Sequence, residues 1–163
     1  MKRNKKPRLK IVSGGQSGVD RAALDAALDA GFPCGGWCPK RRLAEDGPIP
    51  KSYPLKESRS PFYSTRTRMN VEESDGTLII VTAEPTGGTA LTIDLAKNAS
   101  KPLHVVKLND KDVSAASLGK IRKWLKSNNI NILNVAGPRE SGAPGIYDKA
   151  KSLMKELLAQ PFG

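Results

Sequence analysis

The sequence predicts an α/β domain of Rossmann-like type, with a doubly wound, mainly parallel sheet of five strands or slightly more and helices on both faces. Strand-like and helix-like stretches alternate from one end of the chain to the other. Thr77-Leu78-Ile79-Ile80-Val81-Thr82 is a continuous apolar run, as expected of a parallel strand buried on both sides. Two turns between strand and helix, around Gly14–Gly18 and Thr86–Thr89, are rich in glycine and hydroxyl residues. The 163 residues suit one domain, and 38% hydrophobic with 26% charged residues is a globular composition.

Leu9-Lys10-Ile11-Val12-Ser13 alternates and runs into Gly14-Gly15, a strand ending in a turn. Val19, Ala22, Ala23, Ala26, Ala27 and Ala30, with Leu24 and Leu28, then fall on a stripe of helical spacing that Gly31 stops. Residues 33–38 read as a second strand. Residues 39–61 hold five of the twelve prolines, Pro39, Pro48, Pro50, Pro54 and Pro61, which prevents regular structure. A loop of this length inside one domain points to a binding loop or lid. Residues 64–74 form a helix that carries Arg66, Arg68 and Met69. After the apolar strand comes Glu84-Pro85-Thr86-Gly87-Gly88-Thr89, then a helix with Leu91, Leu95 and Ala99 on one face, ended by Lys101-Pro102. Leu103–Leu108 is a strand. Residues 115–128 form an amphipathic helix with Leu118, Ile121, Trp124 and Leu125 as its apolar stripe. Ile130–Ala136 is the last strand, and residues 146–159 form the closing helix.

The formal charge of +11 suggests nucleic acid, but Lys2, Arg3, Lys5, Lys6, Arg8 and Lys10 put six positive charges into the first ten residues and leave +5 for the rest. The organisation expected is a basic, solvated tail over 1–10 and one ligand-binding domain over 11–163. A charge of +5 suits an anionic small molecule, and 5% aromatics offer no stacking platform for single strands. Nucleic acid is therefore the less favoured partner. No apolar run is long enough for a bilayer and no signal-type stretch follows the basic start, so a cytoplasmic, non-membrane protein is expected. Cys34 and Cys38 are too few for a structural zinc site. They read as small buried thiols or as a contact to a soft metal. His104, the only histidine, lies in a strand and reads as structural.

In a doubly wound sheet, ligands bind outside the carboxyl ends of the strands. At Ser13-Gly14-Gly15-Gln16-Ser17-Gly18-Val19-Asp20, glycines let a ligand approach the backbone, and the following helix turns its free N–H groups and positive dipole end to the same place. A phosphate is the expected occupant, with Gln16 and Ser17 as side-chain donors. Asp20 belongs either to this site or to the stabilisation of the helix start. Thr86-Gly87-Gly88-Thr89 repeats the logic. Neither turn is a Walker A loop or a G-x-G-x-x-G fingerprint. Arg139, after the last strand, offers a planar cationic fork for an anion or is a surface arginine beside Glu140. Arg41, Arg42, Arg66 and Arg68 are further anion candidates.

Ser13–Asp20, Gly36-Trp37-Cys38-Pro39-Lys40, Ala44–Pro50, Pro85–Thr89 and Asn134–Ser141 together resemble the molybdenum-cofactor carrier proteins, over nearly the whole chain after the basic tail. That family falls in a Rossmann-like group with the lysine-decarboxylase-like phosphoribohydrolases and the DNA-processing proteins. The resemblance implies a carrier that holds a pterin with a phosphate tail and a dithiolene-bound molybdenum. The phosphate would sit on Gly14–Gly18 or Thr86–Thr89. The phosphoribohydrolases follow their Pro-Gly-Gly-x-Gly-Thr turn with catalytic glutamates. Here Thr89 is followed by Ala90-Leu91-Thr92-Ile93-Asp94, which argues against transfer of that activity. The expected function is binding of molybdenum cofactor (molybdopterin) or a nucleotide. The alternative is a nucleotide-processing hydrolase that uses Asp20, Glu84, Asp94 or Glu140. A homo-oligomer is compatible with such a domain, but nothing in the pattern selects a number.

Overall fold

A computed structural model describes residues 8–109 and 113–160. In order, the elements are β1 (Lys10–Val12), α1 (Val19–Asp29), β2 (Cys34–Gly35), β3 (Trp37–Cys38), β4 (Lys56–Glu57), α2 (Tyr63–Glu73), β5 (Gly76–Val81), α3 (Gly87–Asn98), β6 (Leu103–Lys107), α4 (Ala115–Ser127), β7 (Ile132–Ala136) and α5 (Ile146–Leu158). The main sheet has five strands in the order β2-β1-β7-β5-β6, all parallel. Its α/β, Rossmann-like architecture is the one the sequence predicts. The last strand in the chain, β7, is the middle strand of the sheet. In register it faces β1 at Val12↔Asn134 and β5 at Thr77↔Asn134.

Burial explains the layers. All six residues of β5 are buried, as its unbroken apolar run requires. Leu78 and Ile80 join Ile11, Leu133 and Val135 in a core with Ala22, Ala23, Ala26 and Ala27 of α1, Ile121 and Leu125 of α4, and Leu153, Met154 and Leu157 of α5. By strand alternation Ile79 and Val81 turn to the opposite face, where α2 and α3 pack on each other. The alanines of α1 let it lie close against α5. The stripe ends at Ala27: Leu28 and Ala30, expected on it, are exposed.

Other expectations are corrected. Residues 33–38 do not form one strand. The chain breaks at Gly36 (φ 125), so that β2 joins the main sheet while β3 pairs with β4. A Cβ at Gly36 would overlap the carbonyl oxygen of Ser13, so only glycine allows the break there. The buried residues of α3 are Thr89, Thr92 and Ala96, not the Leu91, Leu95 and Ala99 face. Thr92 can be buried because its hydroxyl donates to the carbonyl of Gly88 (2.9 Å). The expected tail over 1–10 gives up its end to the fold. Arg8 donates to Gly31 O (2.7 Å) and lies over the Phe32 ring, Leu9 is buried, and Lys10 opens β1. Residues 1–7 lie outside the described residues.

The proline-rich segment is ordered around one side chain. The guanidinium of Arg42 donates to the carbonyls of Ile49 (2.8 Å), Pro50 (2.7 Å), Tyr53 (2.9 Å) and Leu55 (3.2 Å). Its neighbour Arg41 (φ 65) and Arg42 itself (φ 55) take left-handed backbone to form this turn. Asn70 of α2 ties the layer down, accepting from Trp37 N (2.8 Å) and donating to Trp37 O (2.9 Å). Arg42 is therefore a structural hub, with all three guanidinium nitrogens on these carbonyls.

Candidate ligand-binding cleft

Because the strands are parallel, the turns after β1, β5 and β7 emerge on one side of the sheet. They enclose a cleft of about 610 Å³, a size usual for small-molecule sites. Gln16 comes from the first turn, Asp20 from the start of α1, Tyr63, Arg66 and Thr67 from α2, and residues 82–86 with Gly88, Thr89, Leu91 and Thr92 from the second turn and α3. Ala136 at the end of β7, with residues 137–139 and 141–143 after it, completes the wall.

The second glycine turn opens onto the cleft. Helix α3 starts at Gly87 with Thr86 as its N-cap, and no side chain caps it. The N–H groups of Gly87 and Gly88 thus stand without a capping side chain at the positive end of the helix dipole, while that of Thr89 donates to Thr86 O (3.2 Å). A Cβ built at Gly88 meets no atom within 4 Å. Thr86, Gly88 and Thr89 line the cleft, whereas Gly87 (φ 52) forms the bend just before them.

The first turn does something else. At Gly14 the guanidinium of Arg66 fills the space a Cβ would occupy, and such a Cβ would also stand 3.0 Å from Asp20 Oδ2. Gly15 is covered by Leu55 and Ile49 of the proline-rich segment. Ser17 donates to Glu45, and Gly18 (φ 81) sits against the backbone of Pro138–Glu140. The first N–H of α1, that of Val19, already donates to Pro138 O (3.2 Å). On the stretch Gly14–Gly18, where a phosphate is expected, the protein's own groups occupy the space over Gly14 and Gly15, and Ser17 and Gly18 line a separate cavity with Arg21, Asp25 and Tyr53. Of that turn, Gln16 and Asp20 reach the cleft, while Gly14, Gly15, Ser17 and Gly18 support it.

Arg66 and Asp20 form the cleft floor. Asp20 is only 3% exposed and its Oδ2 accepts from Gln16 N (3.2 Å) and from Arg66 Nη1 (3.3 Å). Burial pushes its carboxyl above the usual aspartate range, opposed first by the Arg66 charge and then by these hydrogen bonds. Gln16 is 2% exposed and its Nε2 is tied to Leu43 O (2.8 Å). Its Oε1, like Arg66 Nε, is buried without a hydrogen-bond partner. Arg139 reaches the same cleft, its guanidinium 4.4 Å from the centroid of the Tyr63 ring, with Arg66 5.8 Å from that centroid.

The other carboxylates have different duties. Glu140 caps α5, accepting from Gly145 N (2.6 Å) and Tyr147 N (2.9 Å). Asp94 is exposed on α3 and does not line the cleft, while Glu84 stands at its rim beside Lys107 (3.6 Å). Glu45 and Asp46 clamp the proline-rich segment to Ser17, Ser141 and Arg21. Cys38 is buried and Cys34 half-buried, both outside the cleft, and burial raises both thiol pKa values. Among the described residues no group of three or more His, Cys, Asp or Glu could hold a metal ion. His104 packs on Trp124 (centroids 5.4 Å apart), away from the cleft. No described helix is long and apolar enough to cross a membrane. Sequence reading missed Tyr63 and Thr67. Their i, i+3, i+4 spacing with Arg66 places all three on one helix face and was the available signal.

A family model described as the circularly permutated YpsA SLOG family matches residues 11–158. The crystal structure of a protein named "putative molybdenum carrier protein", from Syntrophus aciditrophicus SB, superposes with a TM-score of 0.89 at 43% sequence identity. The match covers 96% of this chain and 99% of that one. No curated protein matches the chain.

Proposed function

This chain belongs to the circularly permutated YpsA SLOG family, and we propose that it is a carrier or binding protein whose cleft holds a phosphate-bearing small molecule, with molybdenum cofactor the favoured cargo and a nucleotide the alternative. One observation carries the reading: the uncapped start of α3, with its open Gly88, faces a cleft that also holds Arg66 and Arg139. Backbone donors, a helix dipole and two guanidinium forks together favour a compact anion. The proposed contacts are Thr86, Gly88 and Thr89 to the anion, Arg66 and Arg139 to its charge, and Gln16 and Asp20 below. Gly14, Gly15, Ser17, Gly18 and Gly87 shape the turns.

The residues fit the organic part of such a cargo. The buried acceptor of Gln16 and donor of Arg66 without partners are what a polar heterocycle could complement. The metal would be held by the cofactor's own dithiolene, since both cysteines lie outside the cleft. The work left to the protein is to bind the phosphate and cover the rest.

The test is native mass spectrometry with metal analysis on protein purified anaerobically from a host that makes molybdenum cofactor. A pterin mass with stoichiometric molybdenum, lost in Arg66→Ala, is the expected result. A bound nucleotide instead would select the alternative cargo. Protein that emerges empty and takes up no pterin phosphate, nucleotide or inorganic phosphate would refute the binding reading. A hydrolase reading retains one supporting observation, the buried Asp20 carboxyl in the cleft. It predicts turnover of nucleoside monophosphates that Asp20→Asn abolishes.

A further inference from the structure

The floor of the cleft pairs one buried carboxylate with one cation. The groups that face Asp20 can be named element by element. From α2 comes Arg66, and from the turn after β1 come the N–H of Gln16 and the hydroxyl of Ser13. On α1 itself Arg21 is turned away, its guanidinium on Gly15 O and Asp46. From the β7 side Arg139 lies over Tyr63, and from the β5 side Glu84 stays at the exposed rim. Among the described residues, Arg66 is thus the only countercharge in contact with Asp20.

That countercharge is incompletely committed. Its Nη1 reaches Asp20 at 3.3 Å, a long charge-assisted contact, while its Nε has no partner. An anion entering the cleft competes for the same guanidinium. It also adds negative charge close to a carboxylate that burial already disfavours in its ionised form.

We propose that anion binding in this cleft is coupled to the uptake of one proton by Asp20. The anion draws Arg66 into its own coordination, and the carboxylate left behind is neutralised by a proton from solvent. No bond other than the new O–H is formed or broken. The neutral carboxyl gains a donor next to Gln16, a residue whose buried Oε1 has none. Release of the anion returns Arg66 to Asp20 and expels the proton. The cleft therefore holds its anion more tightly as pH falls. The inference rests on the proposed anion-binding cleft and adds the linkage.

Sulfate is the suitable probe, because its charge is constant across the working range and any pH dependence belongs to the protein. Calorimetric titration of the intact chain at pH 5–8, in buffers of different ionisation enthalpy, counts the protons. The expected result is net uptake, approaching one proton per sulfate where coupling is complete. Affinity should then fall by up to about tenfold per pH unit. Asp20→Asn, a neutral mimic of the protonated state, should bind sulfate with no proton uptake and a flat pH profile. Should that variant fail to fold, the buffer series on the unaltered protein still decides. Sulfate binding without proton uptake and with pH-independent affinity overturns the coupling and leaves the anion cleft standing. The same pH dependence in folded Asp20→Asn assigns the proton elsewhere and also overturns it. No binding of sulfate or inorganic phosphate at any pH overturns the anion cleft, and the coupling with it.

Discussion

Replacing Gly88 by alanine separates what the fold needs from what a ligand needs. Gly88 lies in the first turn of α3, its φ is not positive, and an added methyl meets no atom within 4 Å. For the protein alone, alanine is the better residue, because glycine in a helix gives up about 0.5–1 kcal/mol of backbone entropy. Gly88→Ala is thus expected to stabilise the chain by that amount. For a domain of this size the melting temperature should rise by roughly 1–4 °C. Gly88 lines the cleft, so the same methyl adds bulk there at the helix start. Keeping an anion off one or two N–H donors of that start forfeits about 1.5–3 kcal/mol each, a loss in affinity of tenfold or more. Gly18→Ala is the contrast. Its φ of 81 and ψ of −128 suit glycine, and a Cβ there would overlap Pro138 O and lie 2.8 Å from Glu140 N. It should cost about 2–3 kcal/mol from strain and displaced backbone, or roughly 5–10 °C. Calorimetric melting and phosphate titration on the two variants make the comparison. A Gly88→Ala protein that melts lower than its parent, or binds phosphate equally well, would refute the argument that this glycine serves a ligand.

Other changes test the scaffold under the cleft. Asn70→Ala removes both bonds to the Trp37 backbone and takes the side-chain partner from its N–H and its carbonyl. Denaturant unfolding should show a loss of about 2–4 kcal/mol. Arg42→Ala frees four carbonyls of the proline-rich segment, so limited proteolysis should cut within residues 43–55 before the rest of the chain opens. Glu45 and Asp46 have carboxyl groups held below their ordinary 4.5 and 3.8, chiefly by hydrogen bonds from Ser141 and from Arg21 respectively. Their stabilisation is present above those values and is lost as pH falls through the lowered folded values. A Glu45→Gln, Asp46→Asn double variant should flatten the acid limb of a stability–pH curve. Asp20 has the opposite sign: its raised folded value makes stability decline as pH climbs upward from 3.8 through that value, and Asp20→Asn should remove the decline.

The residues of one chain segment determine much of this molecule locally. The apolar run at β5, the alanine stripe of α1 and the glycine turns are short-range patterns. Each states its own periodicity, so the alternation of strands and helices, the parallel sheet and the position of the glycine turns at strand ends were all legible. The glycine pair at the start of α3, on which the proposed anion seat rests, was legible for the same reason, since a glycine pair before a helix is a local signal. What the turns face is not local. The two glycine turns look equivalent in sequence. Only the tertiary structure packs Arg66, Leu55, Ile49 and the Pro138–Glu140 backbone against the glycines of the first, while it leaves Gly88 of the second open. The insertion of β7 between β1 and β5 is likewise a matter of long-range strand pairing. It brings Arg139 to the cleft and makes Glu140 a helix cap. The pairing of Asp20 with Arg66 joins residues 46 positions apart. No spacing rule predicts it, because burial and the countercharge that answers it arise only when α2 folds back over the first turn.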